Sequence, residues 1–298
     1  VSKLHYLALS QIKGVGPVFA RELLKRFGNM EAVFNTPESV LISFPRMTEQ
    51  ILEDILRTDL KQYEGFLEKL QADNIDLLTW EDIEFPENLL EAHTAPYLIY
   101  VAGALSPADN QAVAVVGTRE PSDSSLEAAF SLGQKLAEAR ITVVSGLAIG
   151  IDTAAHQGAL AADNGRTIAV LGSGLSRIHP SSNIELAGQI IDHGCIITEY
   201  APNTSPNAQN LIARDRIISG MSRTVIVVEA KADSGSVDTG KKAIKQERKV
   251  YAIPGSPGTD QLIKLGAQPF DPKHFVVEYI LATTQSEPAK RNEQLSLF

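Results

Sequence analysis

The sequence predicts an α/β fold: an extended Rossmann-like, mainly parallel, doubly wound sheet preceded by a small all-α domain. Two patterns lead there. From residue 111 onward, short runs rich in Val and Ile, without polar alternation, are separated by helical segments, as expected of parallel strands covered on both faces. Before residue 70, apolar residues recur at helical spacing, as in Phe19, Leu23, Leu24 and Phe27, and no strand-like alternation is present. A length of 298 residues suits one large and one small domain.

In chain order, residues 1–70 are expected to form the helical domain. Residues 71–110 then connect it to the main domain, with 97–103 as an added strand docking onto the sheet. Residues 111–282 carry the sheet, its strands at 112–116, 141–144, 167–171, 196–198, 224–228 and 250–253. Residues 283–298 are polar with a proline and are expected to form a flexible tail.

Composition narrows the function classes. A formal charge of −9 excludes a globally basic polyanion binder, so any such site must be local. The single cysteine, Cys195, leaves no internal disulfide and no thiolate set for zinc; no metal and no cofactor is expected. No apolar run approaches the roughly 20 residues of a membrane helix, and no export signal is visible, so no membrane partner and a cytoplasmic location are expected.

Small or polar residues follow each expected strand: Gly117, Thr118 and Arg119; Ser145 and Gly146; Gly172, Ser173 and Gly174; Glu199; Glu229; Pro254 and Gly255. Ligands of open parallel sheets bind at this carboxyl edge, where helix N-termini direct partial positive charge at anions. Glycine and serine let amides approach an oxyanion closely, and Arg119 and Arg177 would add guanidinium donors. The alternative is that these glycines only make tight turns. No GxxxxGK[ST] occurs, Gly172-Ser173-Gly174 lacks the third glycine of a dinucleotide fingerprint, and Ser145 lacks a nucleophile elbow, so neither nucleotide hydrolysis, NAD binding nor hydrolase chemistry is supported. Asp152 and His156, four residues apart, form either an acid–base or half-metal pair or a buried one.

The runs 113–119 (VAVVGTR), 144–160 (VSGLAIGIDTAAHQGAL) and 166–175 (RTIAVLGSGL) closely resemble the DNA-processing protein A family, also called DprA or Smf. The likeness continues through His179, Pro180 and Asn183, Thr198 to Tyr200, 214–221 (RDRIISGM), 227–230 (VVEA), Ser234 to Ser236 with Thr239, Pro254 and Gly255, and Leu262 to Ala267. It implies a dimeric, non-enzymatic protein that binds single-stranded DNA and helps load the RecA recombinase in natural transformation. It also implies a DNA role for Arg119, with Gly117 and Thr118 shaping its loop. Ser145, Gly146, Gly172, Gly174, Arg177, Arg214, Arg216, Ser234, Gly235 and Ser236 complete the expected DNA or phosphate site. For Arg214 and Arg216 the alternative is internal pairing that orients Glu199 or Glu229. Asp215 departs from the family's RNR pattern, Ser124 and Ser125 replace a tyrosine-glycine pair, and the winged-helix-like domain of many members is not expected here.

Secondary DNA contacts are expected at Lys241 and Lys242, the alternative being a solvated helix face, and at Lys13, Gly14 and Gly16, in a segment resembling a helix-hairpin-helix motif (SAM-like). A second hairpin-like segment carries Phe44, Pro45 and Arg46 in place of glycines and is expected to be structural. Gln294, Leu295, Leu297 and Phe298 resemble a peptide that docks on the DNA polymerase sliding clamp. The rival readings are a nucleotide-binding sensor or phosphoribohydrolase of a related Rossmann-like superfamily, disfavoured because 234–239 is not PGGxGT, and a protein-binding adaptor without DNA affinity.

Overall fold

The computed structural model describes residues 2–274 together with 277 and 280. The chain divides into two compact units: among the described residues, one contains those up to 85 and 93–99, the other 86–92 and those from 100 to 280.

The smaller unit is helical as far as Ala72: α1 (Ser2–Gln11), α2 (Pro17–Phe27), α3 (Met30–Phe34), α4 (Glu38–Leu41), α5 (Glu49–Arg57) and α6 (Glu64–Ala72), followed by β1 (Ile75–Thr79). Its boundaries are written in side-chain chemistry. Asn29 Oδ1 accepts the Ala32 N–H at 2.7 Å at the start of α3, and Thr48 Oγ1 accepts the Ile51 N–H at 3.2 Å at the start of α5. Phe19, Leu23, Ile51 and Ile55 are buried between the helices. Phe44, at the glycine-free turn, lays its ring 5.6 Å from that of Phe19.

The larger unit holds α7 (Glu87–Glu91), β2 (Leu98–Gly103) from Tyr100 onward, β3 (Val113–Val116), α8 (Asp123–Glu138), β4 (Val143–Ser145), α9 (Ile151–Leu160), β5 (Thr167–Val170), α10 (Ile184–His193), β6 (Cys195–Thr198), α11 (Ala208–Met221), β7 (Thr224–Val227), α12 (Gly235–Lys245), β8 (Lys249–Ala252), α13 (Pro257–Lys264) and β9 (Gln268–Pro269). Its strands are ordered β2-β6-β5-β4-β3-β7-β8-β9. From β6 to β9 every pairing is parallel, and β2 joins β6 antiparallel with Tyr100 opposite Thr198. This is the mainly parallel Rossmann-like sheet that the apolar runs predict. Strands β3 to β7 are buried at every residue, which explains why their sequences show no alternation.

Helices α8 and α9 pack with Val113, Val115 and Val143 in one core, and their backbones nearly touch. A Cβ on Gly158 would lie 2.0 Å from the Phe130 carbonyl oxygen, and one on Gly133 would lie 2.3 Å from that of Ala155. Backbone cannot yield there as a flexible side chain would. Replacing Gly158 by Ala is therefore expected to lower the unfolding free energy by about 2 kcal/mol or more, even though alanine is favoured over glycine in a helix by roughly 1 kcal/mol. A urea midpoint equal to or above that of the wild type would refute this account of the contact.

Candidate functional site

A basin of about 450 Å³ opens at the carboxyl ends of β3, β4 and β7, in the larger unit. Gly117, Thr118, Arg119 and Glu120 line it from the loop after β3, Ala148 and Asp152 from the β4–α9 connection, and Lys231, Ser234, Gly235 and Ser236 from the loop and first turn leading into α12. Ala208, Leu211, Ile212, Arg214, Asp215 and Ile218 form its α11 wall.

The loop after β3 is held from several sides. Thr118 donates its N–H to the Glu229 carbonyl at 2.7 Å, and its own carbonyl accepts from Ile151 N at 3.3 Å. Thr118 Oγ1 accepts the Glu120 N–H at 3.2 Å. The Glu229 carboxylate accepts both the N–H and the hydroxyl of Ser122 at 2.9 Å. Arg119 sits in the middle of this braced segment, exposed at the mouth of the basin. Among the described residues its guanidinium has no hydrogen-bond or ion-pair partner.

Two of the helices that start at the basin, α9 and α12, differ. At the start of α9 the Ile151 amide is taken by Thr118, and the Asp152 carboxylate turns back to accept Gly146 N at 3.1 Å. At the start of α12 the N-cap residue Ser234 makes no capping hydrogen bond. Its Oγ is buried without a partner among the described residues, and the amides of the first turn have none within the helix. The α12 terminus is thus an open anion acceptor. Lys231 stands beside it, paired with Glu120, which this ion pair holds below the usual carboxylate range.

Several residues expected at the phosphate site have internal employment instead. Arg214 is buried at 5% exposure, its Nη1 donating to the carbonyls of Gly146 at 2.6 Å and Val170 at 2.5 Å and its Nε to Asp215 at 3.2 Å. It lies under the basin as a brace, since its donors already point at carbonyls. Arg216 pairs with Glu199 at 2.6 Å, the internal arrangement weighed for it from sequence. Ser145 donates to the Val115 carbonyl and is buried with Gly146. Gly172 and Gly174 are close-packing positions: a Cβ would lie 2.8 Å from Leu211 Cα and 2.1 Å from the Ala201 carbonyl oxygen, respectively. Arg177 is exposed but does not line the basin. Lys241 and Lys242 pair with Asp233 and Asp238, so α12 presents a charge-compensated face. Lys13, Gly14 and Gly16 are exposed at the α1–α2 turn, where Gly14 has φ 93°. The peptide Gln294, Leu295, Leu297 and Phe298 lies outside the described residues.

Sequence reasoning passed over Lys231, which stands one residue beyond the VVEA strand end, and treated Asp215 only as a departure from a pattern. Burial is the largest influence on Asp215 and, with Asp152 and Asp238 adding to it against Arg214 and Lys242, pushes it up to about 6. Asp152 is also raised, by burial.

His156 resolves the pair read from sequence as buried. Its Nδ1 lies 2.7 Å from Thr167 Oγ1, whose proton is given to the Val143 carbonyl, so Nδ1 carries the imidazole proton. Burial, assisted by the Arg214 charge, lowers its pKa to about 3. The folded value lies below the unfolded one, so the unfolded chain binds the extra proton and stability falls as pH drops below about 6.5. Between about pH 7 and pH 5 the wild type should lose about 2 kcal/mol relative to His156→Gln, read as a difference of unfolding midpoints. Parallel pH profiles would show that His156 does not contribute.

An open, mainly parallel sheet with a basin on its carboxyl rim defines a Rossmann-like protein. The family model described as DNA recombination-mediator protein A matches residues 76–280, and this chain belongs to that family. It is 38% identical over 263 residues to Protein Smf of Synechocystis, covering 86% of this chain and 66% of that protein. The chain spans about two thirds of the length of this protein and of the relatives from Streptococcus pneumoniae and Escherichia coli. The solved structure of DNA processing protein A from Streptococcus pneumoniae superimposes with a TM-score of 0.74 at 33% identity, covering 89% of this chain and 94% of that one. A second, from Helicobacter pylori and described by its single-stranded DNA binding mode, gives 0.61 at 28% identity, covering 70% and 94%. Among the described residues, no helix is long and apolar enough to cross a membrane.

Proposed function

We propose that this chain is a single-stranded DNA-binding recombination mediator acting by binding rather than turnover, with residues 111–282 as its DNA-binding domain. DNA lies along the carboxyl rim of the sheet. Its phosphates are met by Arg119, Lys231 and the open amides of Gly235 and Ser236. Ile212, at 54% exposure on the basin wall, offers a surface for sugar or base. In this reading the protein is a cytoplasmic homodimer that protects incoming DNA and presents it to RecA in natural transformation, and the clamp-like peptide is a separate docking element.

The observation that carries the proposal is Arg119: a fixed cation, unpaired among the described residues, held by a braced loop at the mouth of the basin. A surface arginine with no folding partner on a rigid loop is best explained by a ligand, and phosphate suits its forked donors. The relatives named for DNA processing, and the Helicobacter pylori relative named for single-stranded DNA, support the choice of polyanion.

Arg119→Ala is expected to weaken binding to a labelled single-stranded oligonucleotide on the order of tenfold and to reduce the slope of log affinity against log salt by about 0.7, the value of one lost phosphate contact on a single strand. Anisotropy titrations across salt measure both. Equal affinity and equal slope in the two proteins would reject Arg119 as the phosphate contact.

A further inference from the structure

One acid occupies a position that the DNA reading leaves unexplained. Asp215 projects from α11 onto the basin and is only 6% exposed. Its Oδ1 accepts from Arg214, and a Cβ on Gly235 would lie 3.6 Å from its Oδ2. A carboxylate oxygen therefore already stands beside the opening residue of α12, at the terminus whose amides and Ser234 hydroxyl are open. A second anion brought to those amides must come close to the first.

The surrounding charges do not dissolve this conflict. From α9 comes Asp152, and from α12 come Asp238 and Lys242; Arg214 is on the same helix, and Arg119, Glu120 and Lys231 stand at the rim. The Arg214 donors are directed mainly at the Gly146 and Val170 carbonyls, and the Lys242 ammonium is shared between Asp238 and the Ile212 carbonyl. Asp152 and Asp238 both oppose ionisation of Asp215. The least costly way to admit a phosphate is to neutralise the resident carboxylate.

Resting on the reading of this basin as the DNA site, we infer that occupation of the α12 terminus by a phosphate is coupled to uptake of a proton by Asp215, which makes this carboxyl a charge gate on DNA affinity. In the free protein Asp215 is ionised above about pH 6. A bound phosphate favours the neutral form, so the complex holds more protons and affinity rises as pH falls toward that value. Below it the carboxyl is already neutral and the gain levels off.

The test uses an oligothymidylate, whose bases and phosphodiesters do not titrate near neutrality. The wild-type chain should bind it about five- to tenfold more tightly at about pH 6 than at about pH 8. Calorimetry at about pH 7 in two buffers of different ionisation enthalpy should show uptake of about half a proton per site. Asp215→Asn should bind more tightly than wild type at about pH 8, with little change between the two pH values and little uptake. Asp238→Asn removes an acid facing the gate and should move the midpoint of the pH dependence to lower pH. This second variant decides the matter if Asp215→Asn does not fold. A pH-independent wild type, an unaltered profile in Asp215→Asn, or an unmoved midpoint in Asp238→Asn overturns the gate. If the wild type binds and Arg119→Ala weakens it at both pH values, that failure leaves the DNA reading intact. A wild type without affinity at either pH overturns both.

Discussion

A guanidinium out of reach of water must find its hydrogen bonds in the protein, and Arg214 finds them at the carboxyl ends of two neighbouring strands. One nitrogen bridges the Gly146 carbonyl just past β4 and the Val170 carbonyl at the end of β5, while Nε meets Asp215 one residue along the same helix. Gly146 in turn gives its N–H to Asp152 in the first turn of α9. One buried charge thus fixes two strand ends, the entry of α9 and the face of α11 toward the basin. The glycine at 146 is part of the same device, since a Cβ there would lie 2.4 Å from Arg214 Nη1. Removing one partner of such an arrangement leaves an uncompensated charge in low dielectric, typically a loss of about 3–5 kcal/mol. The floor of the site is for that reason part of the fold.

This internal use of Arg214 determines what remains for a ligand. Its charge is balanced by Asp152 and Asp215 beneath the basin, and Lys231 is balanced by Glu120 at the rim, so among the described residues Arg119 is left as an exposed, unpaired cation of the basin. The loop holding it is rigid for local reasons. Gly117 sits so close to Ile151 and the Glu229 carbonyl that a Cβ would lie 2.5 Å and 2.9 Å from their atoms. At Gly150, where φ is 84°, a Cβ would lie 2.5 Å from the Thr118 carbonyl oxygen. A cation on a loop already ordered loses little conformational freedom when it meets a phosphate, and affinity gains accordingly.

The sheet was legible because its cause is local to each strand: a run such as Val113–Val116 is apolar throughout only when both faces are covered. The site was legible in outline and less so in assignment. A glycine after a strand has two physical causes, an open amide aimed at a ligand or a close approach by another part of the chain, and the sequence writes both with the same letter. Gly235, which opens a helix whose N-cap makes no capping hydrogen bond, is of the first kind in the proposed reading. Gly172, beneath the Leu211 backbone, and Gly174, beneath the carbonyls of Ala201 and Pro202, belong to the second. The neighbours that decide are 27 to 39 positions away, beyond any local pattern. The arginines present the same ambiguity: Arg119 and Arg214 both flank strand ends or their facing helix, and burial alone separates a contact from a brace.

For an acidic chain, the proposed handling of a polyanion is a contradiction only if charge acts at every distance. At physiological ionic strength the field of an exposed carboxylate decays over roughly 8 Å, so the overall charge of −9 contributes a diffuse repulsion while contacts within the basin keep their strength. The lysines of α12 fit this division, because Lys241 and Lys242 are matched by acids on or beside their own helix and add no extended basic track. What distinguishes the basin from the surrounding surface is therefore geometry more than net charge: among the described residues, an unmatched guanidinium, a helix start with open amides and an orphaned hydroxyl share a single concavity. A ligand held by such a set must bring its anionic groups to these points, and a flexible single strand can bend its backbone to do so where a stiff duplex, with its phosphates fixed on a cylinder, cannot enter as deeply.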